Sequence, residues 1–339
     1  MINIAVEKLI LIVKNAFMQH GASEISAQSV ANALVRAQMD GQNGHGLSRI
    51  DSYLAQLQTG KIKGAAIPAY EFPRPAICAV DAKFGFAYPA MDILIEQLPA
   101  LAKTYGIAFG AVKNSHHFGQ AGYHVERLAD QGLIALAFSN TPKAMAPWGG
   151  RDALFGTNPI AMACPNFNEV DGESEAPLVI DMSLSVAARG KIMAASKQDK
   201  QIPEGWARDQ DGNPTTDPQL ALKGTMEPMG GAKGGALALM VEILSAGLTG
   251  GNFSFEASSF FEAEGESPAI GHSVIVIDPL ATTGNKDAGA GFAARMAYLF
   301  RTMLEQEGVR LPGSSRISKR QTHHQNGIEI DPAFYKKYS

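Results

Sequence analysis

Apolar residues recur at helical spacing near the start of the chain: Val6, Leu9, Ile10 and Val13, then Val30, Leu34 and Val35, then Ile50, Tyr53, Leu54 and Leu57. Such spacing turns one helix face toward a core, so the region up to Gly60 is predicted to be helical, with Gly21 and Gly60 as stops. From Ala76 the pattern shortens. Apolar runs of strand length, Ile107 to Val112 and Leu133 to Phe138, alternate with helical stretches over 86–105 and 119–131, which is the grammar of an α/β region. Further strands are predicted over Pro159–Cys164, Leu178–Met182 and Ser273–Asp278, and helices over Gly234–Leu248 and 292–307. Between them, Asn166 to Glu175 reads as an acidic exposed loop, and 200–218, with Pro203, Pro214 and Pro218, as irregular. The tail from Leu311 is basic and is expected to be irregular.

Composition narrows the function classes. A chain of 339 residues with 45% hydrophobic and 18% charged residues is an ordinary globular protein of about two domains. A formal net charge of −4 without runs of one sign gives no footprint for nucleic acid or an anionic membrane. The apolar runs are too short or too interrupted to span a bilayer, and the N-terminal residues lack the layout of a secretion signal. Cys78 and Cys164 each lie in an apolar stretch, where a thiol packs as a small hydrophobe. A cytoplasmic protein acting on a small molecule is the expectation.

The chemistry-bearing segments are rich in glycine and histidine. The only G-x-G-x-x-G/A match, Gly289 to Ala294, stands about ten residues past the end of a predicted strand, whereas a dinucleotide turn needs its first glycine directly after one. A Rossmann domain is therefore not expected. Asp40 to Arg49 places a glycine-flanked histidine, Gly44-His45-Gly46, at a predicted helix start, with Arg49 four residues on. Residues at that spacing share a helix face; an imidazole can move a proton and a guanidinium can grip a carboxylate, a pairing that suits an α-keto or α-imino acid. A surface histidine beside a solvated arginine has the same spacing. Asn114 to Gly122, with His116 and His117, follows a strand and precedes a helix, where backbone amides can hold phosphate. His116, His117 and His124 have neither the H-E-x-x-H nor the Cys/His spacing of a zinc site, so no metal is expected. Thr157, the Asp181-Met182-Ser183 segment, and Lys233 within Met229 to Gly234 add hydroxyls and charge at further turns, and the cations near Arg316 could take a phosphate or simply be solvated.

Together these segments resemble the malate/L-lactate dehydrogenase family that is distinct from the Rossmann-type enzymes of the same names. The resemblance runs from about residue 5 to 320 and rests on dispersed motifs in order: His45-Gly46-x-x-Arg49, Ser115 to Gly122, Gly156-Thr157-Asn158-Pro159, Ile202 to Trp206 and Leu311-Pro312-Gly313. It implies a non-Rossmann α/β NAD(P)-binding fold with a helical N-terminal region. The expected division is 1–75 for that region with the His/Arg motif, 76–290 for the cofactor domain, and 291–339 for a C-terminal helix and basic tail packing back on the N-terminal region. By resemblance His45 is the proton donor, and Arg49 and Thr157 contact substrate. His117, Phe118, Gly119, Gln120, Ala121, Asp181, Met182, Ser183, Lys233, Gly313 and Arg316 line the cofactor site. NADPH is expected, since cations near Arg316 suit a 2′-phosphate, with NADH as the alternative, and so is a homodimer.

Two positions depart from the family pattern. Gly44 stands where a serine usually helps orient the histidine, and Lys191 where ketimine reductases of the family tend to have an aspartate. Asp181 is then the candidate for orienting His45. The Asn252 to Glu256 segment looks most like the ketimine reductases. The leading expectation is NADPH-dependent reduction of Δ1-pyrroline-2-carboxylate, or its six-membered homologue, to L-proline or L-pipecolate. The alternatives are a 2-hydroxy acid dehydrogenase acting on malate, lactate or sulfolactate, and, from another class, a catalytically silent small-molecule binding protein.

Overall fold

A computed structural model describes residues 1–167, 174–282 and 288–339. After a short strand, β1 (Ile2–Ile4), the predicted helical start resolves into α1 (Val6–Gln19), α2 (Glu24–Met39) and α3 (Ile50–Gln58). Ser23 caps α2 by accepting from the Ser26 amide, as short hydroxyl side chains do at helix starts. Gly21 and Gly60 follow α1 and α3 with φ of 91° and 78°, left-handed conformations that glycine adopts without penalty.

The α/β region then runs through β2 (Ala69–Arg74), β3 (Ile77–Asp81), α4 (Ala87–Tyr105), β4 (Ile107–Ser115), α5 (Ala121–Ala129), β5 (Ile134–Ser139), β6 (Ile160–Phe167) and β7 (Ser174–Met182). Next come α6 (Arg189–Lys197), β8 (Ala207–Arg208), β9 (Pro214–Thr215), α7 (Pro218–Lys223), β10 (Thr225–Met226) and α8 (Ala232–Glu242), which passes into a π-helical turn, Ile243–Gly247. The chain ends with β11 (Ile270–Ile277), α9 (Ala288–Leu304), α10 (Ser314–Asn326), β12 (Ile328–Ile330) and α11 (Pro332–Tyr338).

The main sheet has seven strands in the order β2-β3-β4-β11-β5-β6-β7. Among the described strands of this sheet only β3 and β4 pair in parallel, across the α4 crossover; β11 returns late in the chain to pair antiparallel with both β4 and β5. This mixed order is incompatible with a doubly wound parallel sheet. The Gly289 to Ala294 segment accordingly lies in α9, while β11 ends at Ile277. Strand alternation divides the core. In β5, Ala135 and Ala137 join a cluster with Leu94 and Leu98 of α4 and Val125 and Leu128 of α5, whereas Leu136 and Phe138 face a second cluster with Ala238 and Val241 of α8. A third cluster gathers α1, α2 and α3 with Ile328, Ile330 and Phe334 of the C-terminal elements. No helix among the described residues is long and apolar enough to cross a membrane.

Three readings of the sequence need correction. The tail from Leu311 is ordered as α10, β12 and α11, not irregular. None of the α10 residues is buried, so no apolar periodicity announces it. The helix is held by charge: Arg320 binds Asp40 at 2.9 and 3.1 Å and Glu126 at 2.8 and 3.1 Å, and His323 bonds the Met39 carbonyl at 2.8 Å. Of the acidic loop expected over Asn166 to Glu175, residues 168–173 lie outside the described residues. Its flanks are paired instead, with Asn166 opposite Glu175 in the β6–β7 ladder. The 200–218 stretch contributes β8 and β9 to a small three-stranded sheet with β10.

Candidate active site

Between α2 and α3 the chain makes two 3₁₀ turns, Asn43–His45 and Leu47–Arg49, broken at Gly46. His45 and Arg49 therefore do not share one helix face as their spacing predicted. The break has a steric cause. A Cβ at position 46 would lie 2.6 Å from Gln38 Oε1 and 3.1 Å from the Gln38 backbone. Arg49 folds back instead, its Nε donating to the Gly44 carbonyl at 2.7 Å, with its guanidinium 4.7 Å above the Phe261 ring. Its Nη1 is buried without a hydrogen-bond partner, and so is Nδ1 of His45. Unmet buried donors and acceptors are costly, and a polar ligand could satisfy both atoms.

The His45 ring stacks on His117, centroids 5.2 Å apart and planes at 20°. His117 Nδ1 is 2.6 Å from the Tyr53 hydroxyl, which lies 3.2 Å from that of Tyr88. Burial, then the charges of Arg49 and Arg316, push His45 down to about 4. Burial likewise holds His117 well below the ordinary imidazole range and lowers His116 to about 3. Near neutral pH these imidazoles are uncharged, and a neutral His45 can accept a proton.

The sheet topology sets the remaining segments in a row. Ser115 at the end of β4 pairs with Ile270 at the start of β11; His272 pairs with Ser139 at the end of β5; Phe138 pairs with Ile160 of β6, which pairs with Met182 at the end of β7. His116–His117, Thr157 and Asp181–Ser183 thus all emerge at one edge of the sheet. His272 ties this edge together: its Nδ1 is 2.8 Å from Ser139 Oγ, its Nε2 is 3.0 Å from both Ser115 Oγ and the His116 carbonyl, and its ring stacks on Phe118 at 4.7 Å. The Thr157 amide donates to Thr141 Oγ1 at 2.9 Å, and its carbonyl accepts from Leu184; no hydrogen bond joins it to His45 or Arg49.

A second convergence lies at the start of α5. Gly119 has φ of 74°, and a Cβ there would strike the Tyr88 hydroxyl at 2.6 Å. Phe118 and Ala121 are buried, and Gln120 donates to Asp40 at 3.0 Å. Asp181, expected to orient His45, has another task. Its Oδ2 accepts from the Gly122 amide at 2.9 Å and lies 3.6 Å from Arg316 Nη1. Burial raises its pKa, against the pull of Arg316 and the Gly122 amide. Gly313, with φ of 88°, packs on Val179, where a Cβ would meet the carbonyl at 3.0 Å, and so delivers Arg316 to this point. Met182 is partly exposed, and Ser183 turns toward Ser185. Lys233 is exposed on the first turn of α8 and forms no hydrogen bond or ion pair among the described residues. Lys191, noted for its departure from the family pattern, is exposed beside Trp206.

Sequence reasoning missed Tyr53, His272, Phe260 and Phe261 at this site. Tyr53 was visible only as a core position of α3, and the other three lie in segments whose approach depends on the return of β11. Phe260 packs 5.1 Å from His117 and 5.3 Å from His116. The histidines serve separate partners, and among the described residues no group of His, Cys, Asp or Glu is arranged to hold a metal ion.

The chain matches a family described as malate/L-lactate dehydrogenase over residues 4–338. It is 50% identical to the (2R)-3-sulfolactate dehydrogenase (NADP(+)) of Chromohalobacter salexigens, across 88% of this chain and 86% of that one. Identity to the Δ1-pyrroline-2-carboxylate/Δ1-piperideine-2-carboxylate reductase of Pseudomonas syringae pv. tomato is 39%, across 96% and 92% of the two chains. The crystal structure of the Δ1-piperideine-2-carboxylate reductase from Pseudomonas syringae pv. tomato superposes with a TM-score of 0.91, at 38% identity and covering 100% of this chain and 99% of that one.

Proposed function

Since the chain belongs to the malate/L-lactate dehydrogenase family and is an oxidoreductase, we propose that it moves a hydride between NADP(H) and C2 of a small 2-imino or 2-oxo carboxylate. The observation that carries this reading is the pairing of Arg49 and His45, each with a buried polar atom lacking a partner. Arg49 Nε is committed to Gly44, which leaves its Nη groups for a carboxylate. His45, neutral in the free protein, takes the proton from a C2 hydroxyl in the oxidative direction and returns it in the reductive one. His45 is held down by burial first and by the Arg49 charge second; a carboxylate bound to Arg49 offsets the second, so substrate raises the proton affinity of the imidazole when reduction needs it.

NADPH, when bound, supplies the hydride. The segments proposed to hold it are His117 to Ala121, Asp181 to Ser183, and Gly313 with Arg316; Thr157 is assigned to substrate. The fit rests on Arg316 Nη1, which is buried without a hydrogen bond and faces Asp181 at 3.6 Å. Lys233 has no bond within the described chain to compete with an anion. Arg316, which bears electrostatically on His45 and pairs with Asp181, is assigned to an anionic group of the cofactor.

Reduction of Δ1-pyrroline-2-carboxylate or Δ1-piperideine-2-carboxylate is the reading supported by the reductase relatives, at 39% identity and, for the superposed structure, 38%. A second reading, the interconversion of (2R)-3-sulfolactate with its 2-oxo acid, is favoured by the 50% identical relative. The charged groups bearing on His45 are both cations, Arg49 and Arg316. Both suit an anionic substrate, and the imino carboxylate and the sulfonated acid each supply one. A homodimer in the cytoplasm is part of the proposal; exposed Leu239, Met240 and Ile243 on α8 and its π turn, beside the stacked pair Phe253 and Phe255, support a subunit contact.

The test is to incubate purified protein with NADPH and either Δ1-pyrroline-2-carboxylate or 3-sulfopyruvate, following absorbance of the reduced cofactor. Oxidation with the imine alone supports the first reading, and with the sulfonated oxo acid alone the second. No oxidation with either refutes both.

A further inference from the structure

The Arg49 guanidinium rests on Phe261, and His117 rests on Phe260, yet both aromatics belong to the stretch between the π turn and β11 that has no secondary structure of its own. Something must hold this stretch in place. Lys61, just beyond the end of α3, is only 2% exposed, and its ammonium donates to three backbone carbonyls: Ser259 at 2.7 Å, Glu262 at 3.0 Å and Glu264 at 3.1 Å. An ammonium has three protons and no acceptor capacity, so the three carbonyls use all of its donors, with the Glu262 charge nearby. Gln56, fully buried, donates to the carbonyls of Phe260 at 3.0 Å and Glu262 at 2.9 Å, and Thr59 Oγ1 to that of Ala263 at 2.7 Å.

We propose that Lys61, seconded by Gln56, is a positioning residue for substrate: its caged ammonium clamps residues 259–264 onto α3 and thereby sets Phe261 against Arg49 and Phe260 against His117. A buried lysine is costly to maintain unless its ammonium is fully bonded. The clamp explains its presence. One segment, α3 with its flanks, carries Arg49 at its start and Lys61 just past its end, so the guanidinium and the aromatic beneath it are fixed to the same support. Since every bond goes to main-chain carbonyls, the clamp fixes the path of the loop and leaves its side chains free to shape the pocket.

The proposal rests on the reading that Arg49 holds the substrate carboxylate, and two independent measurements test it. In Lys61→Met, KM for the carboxylate substrate is expected to rise about tenfold with kcat within about threefold, while NADPH binding, followed by its fluorescence, is unchanged. Lys61→Arg, which keeps charge and donors, should recover most of the loss. Independently of activity, the Phe261 amide, bonded to Ser259 Oγ at 3.1 Å, should exchange with deuterium about tenfold faster in Lys61→Met. Unchanged exchange at the Phe261 amide, or a fall in kcat with KM unmoved, would overturn the clamp. If Lys61→Met does not fold, Gln56→Leu removes two bonds to the same loop and is judged by the same criteria. A wild-type protein inactive on every substrate would refute the functional reading, and the exchange measurement would still decide the clamp.

Discussion

His45 and His117 stack face to face, and His117 is itself fixed by Tyr53 through a 2.6 Å hydrogen bond. The histidine that handles the proton in the proposed reaction is thus oriented by a second histidine and a tyrosine rather than by a serine or an aspartate. Replacing His45 with alanine should lower kcat by about 10² to 10⁴, the usual worth of a positioned acid or base, with NADPH affinity preserved. Tyr53→Phe should cost less, about three- to tenfold in kcat, because it frees the His117 ring without removing it. Steady-state kinetics alongside fluorescence titration of NADPH checks both; equal losses in the two variants would refute the hierarchy.

Gly44 offers a sharper test of the same arrangement. A Cβ at this position meets nothing within 4 Å, and the residue is not in a left-handed conformation. Gly44→Ser should therefore fold with an unchanged melting temperature and keep kcat within about threefold, since stacking on His117 already orients the imidazole. A large gain in turnover would mean that the missing serine limits this protein.

Arg49 has two separable effects. Its removal in Arg49→Met should raise KM by about 10- to 150-fold, corresponding to about 1.5–3 kcal/mol for hydrogen bonds to a charged group. It should also move the acid limb of kcat/KM for oxidation upward from about 4, because a positive charge that holds His45 down is gone. A pH profile measured with NADP⁺ and the hydroxy acid would read both; an unmoved acid limb would argue against their proximity.

Acid should unfold this protein earlier than its carboxylates alone dictate. Burial pushes His116 and His272 down to about 3 and His124 to about 4, whereas in the unfolded chain they titrate near 6.5. Between those values the unfolded state binds protons that the folded state refuses, so stability is full above about pH 7 and falls as pH drops through 6.5. Each such histidine contributes a slope of about 1.4 kcal/mol per pH unit. Against a total of about 5–15 kcal/mol, cooperative structure should be lost before pH 4. Urea midpoints recorded from pH 7.5 to 4.5 test this, and a midpoint constant across that range would refute it.

Much of this protein was legible along the chain. The spacing of Val6, Leu9 and Val13 and of Tyr53, Leu54 and Leu57 marked the helices, the short apolar runs marked β4, β5, β6 and β11, and the glycines around His45 marked a turn. Those signals are local: they depend on the period with which one segment presents a face to a core. Helix α10 left no such signal, because its partners are the charges of Asp40 and Glu126 rather than an apolar face.

Tertiary structure alone decided which turns meet. Nothing in the period of β11 says that it inserts between β4 and β5, yet that insertion brings His272 to Ser115, 157 positions earlier, and aligns the strand ends that carry His117, Thr157 and Asp181. Nor does spacing reveal that Gly46 must pass against Gln38, which breaks the expected helix and turns Arg49 back toward Gly44. Residue types and local periods determined the parts. Close approach and long-range strand pairing, which depend on the whole chain being folded, decided that Asp181 faces Arg316 and that His45 rests on His117.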